Sequence, residues 1–147
     1  MSLDYSRMLK QLNLKVTPKR LAILGILDAE QVYLSPENIW EKMKSSVGKV
    51  GLPTVYRNLE ELERGGIITK IIHPNRQLYY YFCGNEGRHH HHFICLSCNA
   101  VEELDYCPER EIDVKVKKKL KGRALSHLLQ VSGLCKRCLS GKSDKNN

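Results

Sequence analysis

The chain has no apolar run of membrane-spanning length, no internal repeat, no glycine-rich phosphate loop and no nucleophile motif. The first absence excludes a membrane protein, and the last two leave catalysis on an organic small-molecule substrate without support. Met1 to Asn13 mixes charged, polar and apolar residues, which is not a secretory leader. The six cysteines are therefore read in a reducing, cytoplasmic compartment, where they serve as metal ligands or redox groups rather than as a disulfide scaffold. A dense polybasic tail is also missing: residues 1–72 hold 11 Lys/Arg against 8 Asp/Glu, and residues 73–147 hold 13 against 8. Yet the net charge is +8, falling to about +6 once four thiolates bind a dication. That balance favours nucleic acid read by a fold over electrostatic coating alone.

What is present is a crowd of metal-ligating side chains. His89 to His92 run into Phe93-Ile94-Cys95-Leu96-Ser97-Cys98, and Cys135-Lys136-Arg137-Cys138 answers them after 36 intervening residues. A C-x-x-C turn gives two thiolates two corners of a tetrahedron, and two such turns complete a tetrathiolate zinc site. The histidines are internal, stop at four and lead into an apolar strand pattern, so they are not a purification tag. At 147 residues the chain forms one domain or two small ones, whose marginal cores a zinc staple would support.

The first half reads as helices with caps. Leu9 and Leu12 mark a short one; Thr17-Pro18 and Ser35-Pro36 each supply an N-cap and a proline at the first helical position; a fourth begins near Pro53-Thr54 and ends at Gly65-Gly66. Strand-like runs at 67–72 and 77–82 flank the turn His73-Pro74-Asn75-Arg76. Helices followed by a hairpin make a winged helix. The second half offers strands at 93–96, 101–104 and 128–131 and a helix after Pro108 carrying Ile112, Val116 and Leu120. The expected architecture is α+β, with a winged-helix DNA-binding domain over residues 1–83, a hinge at 84–88, a small α/β metal-binding domain at 89–140 and a disordered tail at 141–147.

Burying Val55, Leu59 and Leu62 on the fourth helix turns Thr54, Tyr56, Arg57 and, one turn on, Glu61 or Arg64 outward. Arg57 can pair with guanine or bind phosphate, and Tyr56 can pack on a thymine methyl. Lys15 would contact the backbone or minor groove. A plain surface helix, or a winged helix that binds protein, would show the same pattern.

Thr54-Val55-Tyr56-Arg57-Asn58-Leu59, preceded by Thr17-Pro18-Lys19-Arg20 and followed by the histidine-cysteine block and Cys-Lys-Arg-Cys, resembles the ferric uptake regulator family of bacterial metalloregulators over roughly residues 5–140. The resemblance implies a homodimer whose winged helices bind a palindromic double-stranded DNA operator when metal is loaded, usually as a repressor. It places Lys15, Tyr56 and Arg57 on DNA-contact positions and makes Cys95, Cys98, Cys135 and Cys138 a structural zinc site. Strand alternation sends His90 and His92 to one face and His89 and His91 to the other. His90, His92 and Glu103 match the family's regulatory site near the hinge. His89, His91 and His127 match a second site, whose glutamate falls on Glu111 if one residue is inserted and on Arg110 by strict spacing.

Two positions depart from the iron sensors. Tyr33 stands where many members carry an imidazole, and Cys83 stands at the hinge where iron sensors carry a carboxylate. A thiolate beside imidazoles suits zinc better than Fe²⁺ or Mn²⁺, and zinc uptake regulators of the family use a hinge cysteine. The expected regulatory set is Cys83, His90, His92 and Glu103, loaded with a second Zn²⁺ or with Fe²⁺. His73 is left out, because hairpin pairing puts it roughly 20 Å from Cys83. Cys107 matches nothing in the pattern and reads as a packing or loop residue. An iron- or peroxide-responsive regulator, a zinc enzyme and a zinc-stabilised interaction module compete with the zinc-sensor reading.

Overall fold

A computed structural model describes residues 3–84 and 89–141. Most of the expected hinge (85–88) and of the expected tail (142–147) lies outside the described residues.

Caps start the helices of the first half. In α1 (Tyr5–Gln11) the Asp4 side chain accepts from the Arg7 N–H. Thr17 Oγ1 accepts from the Arg20 N–H at 3.2 Å to open α2 (Pro18–Glu30), and Ser35 Oγ accepts from the Asn38 N–H at 3.1 Å to open α3 (Pro36–Met43). Both prolines sit in a first turn, where their missing N–H has no helical partner to lose. Helix α4 (Leu52–Arg64) begins slightly earlier than expected, with Gly51 as its N-cap and no side-chain cap bond. Ile23, Leu24 and Leu27 of α2, Ile39 and Met43 of α3, and Val55, Leu59 and Leu62 of α4 are fully buried in one core.

The hairpin seals that core. Strands β1 (Ile68–Ile72) and β2 (Leu78–Phe82) pair antiparallel from Ile68↔Phe82 to Ile72↔Leu78, which leaves His73 just beyond the last pair, at the turn end of the hairpin. Ile67, Ile68, Tyr80 and Phe82 close the helical core from this side. The unit is a winged helix.

In the second half β3 (His91–Cys95) lies between β4 (Val101–Leu104), antiparallel, and β5 (Gln130–Gly133), parallel. β5 starts later than the expected Leu128. That leucine is 76% exposed and outside the ladder, so its apolar character marks surface rather than strand. Helix α5 (Glu109–Lys115) runs on through a π turn over 116–120, which Lys121 ends at φ 55°. Leu120, the last residue of the apolar pattern expected for this helix, is 74% exposed. A six-residue α6 (Lys136–Gly141) closes the described chain.

Contacts on two sides join the halves among the described residues. The segment between α2 and α3 bridges both ways: Leu34 pairs with Tyr80 of β2, and Val32 pairs with Ala100 beside the β3–β4 turn. Between them Tyr33, 1% exposed, donates its hydroxyl to the Cys95 carbonyl at 3.1 Å and packs with Ile71, Ile94 and Val101 in a second small core. On the other side the Gln130 carboxamide accepts from the Ile72 N–H at 3.0 Å and donates to the Ile72 carbonyl. Leu59→Ala, which empties the centre of the first core, is expected to lower unfolding free energy by about 2–5 kcal/mol in urea titration, whereas Leu128→Ala should leave monomer stability within about 0.5 kcal/mol.

Candidate metal centres

Strand β3 and its two flanks carry ligands for three groups. Cys95 ends the strand, Cys98 follows in the turn to β4, and the parallel pairing Cys95↔Gly133 delivers Cys135 and Cys138 to the same end. The four sulfurs lie within 4.8 Å of one another, and Cys98 Sγ and Cys135 Sγ are 3.8 Å apart. Two sulfurs at 2.3 Å from a tetrahedral zinc would be separated by about 3.8 Å. The donor set and its spacing fit that ion.

Electrostatics inside the cluster say why a cation belongs there. Burial alone would push the Cys95 thiol up, but backbone N–H groups of Cys98, Cys135 and Ser97 bring it down to about 6. At Cys138 a bond from Ser97 favours the thiolate, yet burial and the adjoining Cys135, Cys98 and Cys95 outweigh it and push the thiol up to about 11. Cys95 forms its thiolate readily and Cys138 resists. A dication removes that resistance.

The second group forms at the start of the same strand. Cys83 Sγ, just past β2, lies 2.6 Å from His90 Nε2 and 3.4 Å from His92 Nε2. Glu103 of β4 is the register partner of His92. Burial and the neighbouring His90 push His92 down to about 4, with the Glu103 carboxylate opposing them. A neutral imidazole is the form that binds metal. His73 is absent from the group; its ring packs against Tyr33 and Tyr79 instead.

On the opposite face, as alternation requires, His127 Nε2 lies 3.0 Å from both His89 Nε2 and His91 Nε2. The expected fourth member does not join them. Glu111 lies in the first turn of α5, and the ligand atom that completes the group is the Sγ of Cys107. Because α5 starts directly after Pro108, Cys107 stays on the loop facing the histidines while Glu111 is carried into the helix. The sequence pattern missed it because loop closure, not spacing, brings Cys107 there.

On the winged helix Lys15 and Arg57 are exposed, and Thr54 and Tyr56 are half-buried along α4. Tyr56 Oη donates to Glu37 at 2.6 Å, which holds the Glu37 carboxyl below its usual range. Glu61, expected outward, turns in to an ion pair with the nearly buried Arg20, which also donates to Asn58 Oδ1 at 3.3 Å and to the Lys15 carbonyl at 2.8 Å. A buried guanidinium needs that carboxylate. Arg20 thereby ties the Lys15 segment to α4.

The model of the ferric uptake regulator family matches residues 11–132. The chain belongs to that family. It is 32% identical over 141 residues to the ferric uptake regulation protein of Legionella pneumophila, covering 92% of this chain and 99% of the relative. The structure of the Francisella tularensis ferric uptake regulator with iron superposes with a TM-score of 0.63 at 32% identity, covering 86% of this chain and 95% of the other. A zinc uptake regulator complexed with zinc and DNA gives 0.78 at 22% identity, over 95% and 93%, and at that identity speaks for the fold. The ferric uptake regulator family consists of metal-responsive, dimeric, DNA-binding transcription regulators, so this chain is a regulator and not an enzyme. Among the described residues no helix is long and apolar enough to cross a membrane.

Cys138→Ser, which leaves three sulfurs, is expected to lose the tightly held metal during purification without added zinc and to lower the thermal midpoint by several degrees; elemental analysis and calorimetry check both.

Proposed function

We propose that the protein is a zinc-responsive repressor, a homodimer that grips a palindromic operator through its two winged helices when its hinge sites are filled. The observation that carries the reading is the Cys83 sulfur set against the His90 and His92 imidazoles, with Glu103 across the strand from His92. A soft thiolate among imidazoles favours zinc over the oxygen-rich surroundings preferred by Mn²⁺ or Fe²⁺. Cys95, Cys98, Cys135 and Cys138 hold a second, structural zinc, closed by four thiolates and with no open coordination position.

Placement supports a regulatory role for the hinge set. Cys83 leaves the end of the wing, whereas His90, His92 and Glu103 belong to the sheet of the second half. A ligand set drawn from both bodies is complete only in arrangements that bring them together. Zinc affinity must then differ between arrangements, and by linkage operator DNA raises zinc affinity by the factor by which zinc raises operator affinity. Zinc supplies a charge that the four donors share; the residues themselves choose the geometry.

At the operator, Arg57 and Tyr56 on α4 meet base edges or phosphates, Thr54 approaches from the helix N-terminus, and Lys15 contacts the backbone. Tyr56 must first release or share its bond to Glu37. Leu120, Leu125, Leu128 and Leu139, all exposed on the second half of a single chain, supply apolar surface for the partner subunit.

Operator titrations by gel shift with Zn²⁺, Fe²⁺ and Mn²⁺ test the assignment. Wild type is expected to bind in micromolar or lower zinc, and Cys83→Ser to need at least about tenfold more. Operator binding driven by iron and indifferent to Cys83→Ser would sink the zinc reading. Arg57→Ala should weaken operator binding by about 1–3 kcal/mol at fixed salt without changing zinc content.

A further inference from the structure

The third ligand group shares no residue with the hinge set, and its membership is not what the family pattern leads one to expect. Cys107 Sγ lies 3.3 Å from His89 Nε2, 3.4 Å from His91 Nε2 and 3.4 Å from His127 Nε2. The two imidazole separations to His127 are 3.0 Å each, and all four ligand atoms fall within 4.8 Å. Nitrogens at 2.0–2.1 Å and a sulfur at 2.3 Å from a tetrahedral ion would stand about 3.3 Å (N···N) and about 3.5 Å (N···S) apart. The observed spacings follow that pattern, with the sulfur contacts the longer ones.

Hydrogen bonding does not account for such convergence. A neutral imidazole presents either an N–H or a lone pair at Nε2, so of three that meet at one point at least two present the same group to each other. A cation in their midst takes up three lone pairs and a thiolate at once.

We propose that His89, His91, Cys107 and His127 form a complete four-ligand site for a borderline divalent cation of the zinc class, with Cys107 rather than Glu111 as its fourth donor, and that filling it orders the segment 121–129.

The chemistry of the fourth donor sets the selectivity. With a carboxylate in that position the site would accept Mn²⁺ or Fe²⁺ readily; a thiolate shifts it toward Zn²⁺ and, as a probe, Co²⁺. The ligands come from three stretches of chain: the start of β3, the loop before α5 and the irregular run before β5. His127 lies within that irregular run, between the exposed Leu125 and Leu128. A metal bond at His127 therefore restricts the backbone that presents both leucines. His89 and Cys107 are exposed, so the site exchanges with free metal, unlike the tetrathiolate group with its fully buried Cys95.

Cobalt tests the assignment without DNA and separately from the hinge. Full-length Cys83→Ser protein, shown by elemental analysis to keep its tetrathiolate zinc, leaves Cys107 as the sole thiol free to bind added Co²⁺. Titration is expected to raise a near-ultraviolet sulfur-to-cobalt charge-transfer band. Adding Cys107→Ser should abolish that band and weaken cobalt binding at this site at least about tenfold, whereas adding Glu111→Gln should change neither. Absence of the band in Cys83→Ser, its persistence in the double variant, or its loss with Glu111→Gln would each overturn the site. Amide exchange across 121–129 should slow on zinc addition in wild type and not in Cys107→Ser; equal exchange in the two overturns the ordering. Failure of the hinge reading would appear elsewhere, as an operator response that ignores Cys83→Ser while the Cys107 band stands.

Discussion

Four thiolates drawn within 4.8 Å repel one another unless a cation sits among them, and the second half of the molecule is arranged around that constraint. Cys95 ends the sheet's central strand and Cys98 follows in the turn, Cys135 immediately precedes the last described helix and Cys138 lies within it, and the parallel pairing of β3 with β5 is the backbone side of the same closure. Closing this end fixes the direction and register of β3. Its other end then presents four consecutive histidines alternately to two faces, one looking toward the wing and the other toward the loops before α5 and β5.

Much of this was legible because it depends on rules that act over a few residues. Thr17 and Ser35 cap helices through their own hydroxyls, hairpin register follows from one turn, and alternation along a strand sorts His90 and His92 from His89 and His91. What escaped depends on contacts between distant segments. Glu61 lies on a helix face that periodicity leaves in solvent, and turns inward because Arg20, 41 residues away, needs a counter-charge. Cys107 joins three histidines through a loop whose path no local preference encodes, and β5 starts where pairing with β3 begins, not where the apolar residues do. Leu120 was read on the apolar stripe of a helix and Leu128 at the start of a strand, and both are exposed in the single chain, because an exposed apolar residue looks the same in sequence as a buried one.

Tyr33 shows how a departure from a family pattern can be absorbed. A phenol is a poor ligand for zinc or ferrous iron, yet this one is buried and bonded to the Cys95 carbonyl, and burial pushes its hydroxyl up to about 12. It stays protonated and stays a donor. The contact between the winged helix and the tetrathiolate turn is thus made by a neutral hydrogen bond that needs no metal, which leaves the hinge cluster on the opposite end of β3 free to respond to one. On the proposed reading, structural attachment and metal response fall to different residues.

A two-stranded ribbon normally carries two open rims of backbone N–H and carbonyl groups, each able to template a strand from another molecule. Here the outer rim of β2 is met by Leu34, which exchanges both backbone bonds with Tyr80 at 2.9 and 2.8 Å, and that of β1 is met by a side chain, since the Gln130 carboxamide presents to Ile72 the same acceptor and donor as a peptide unit. Each rim of the wing is therefore met at one residue by a segment from outside the hairpin. A glutamine that looks like a surface residue thus closes one position on the open rim of the hairpin, from the other half of the chain.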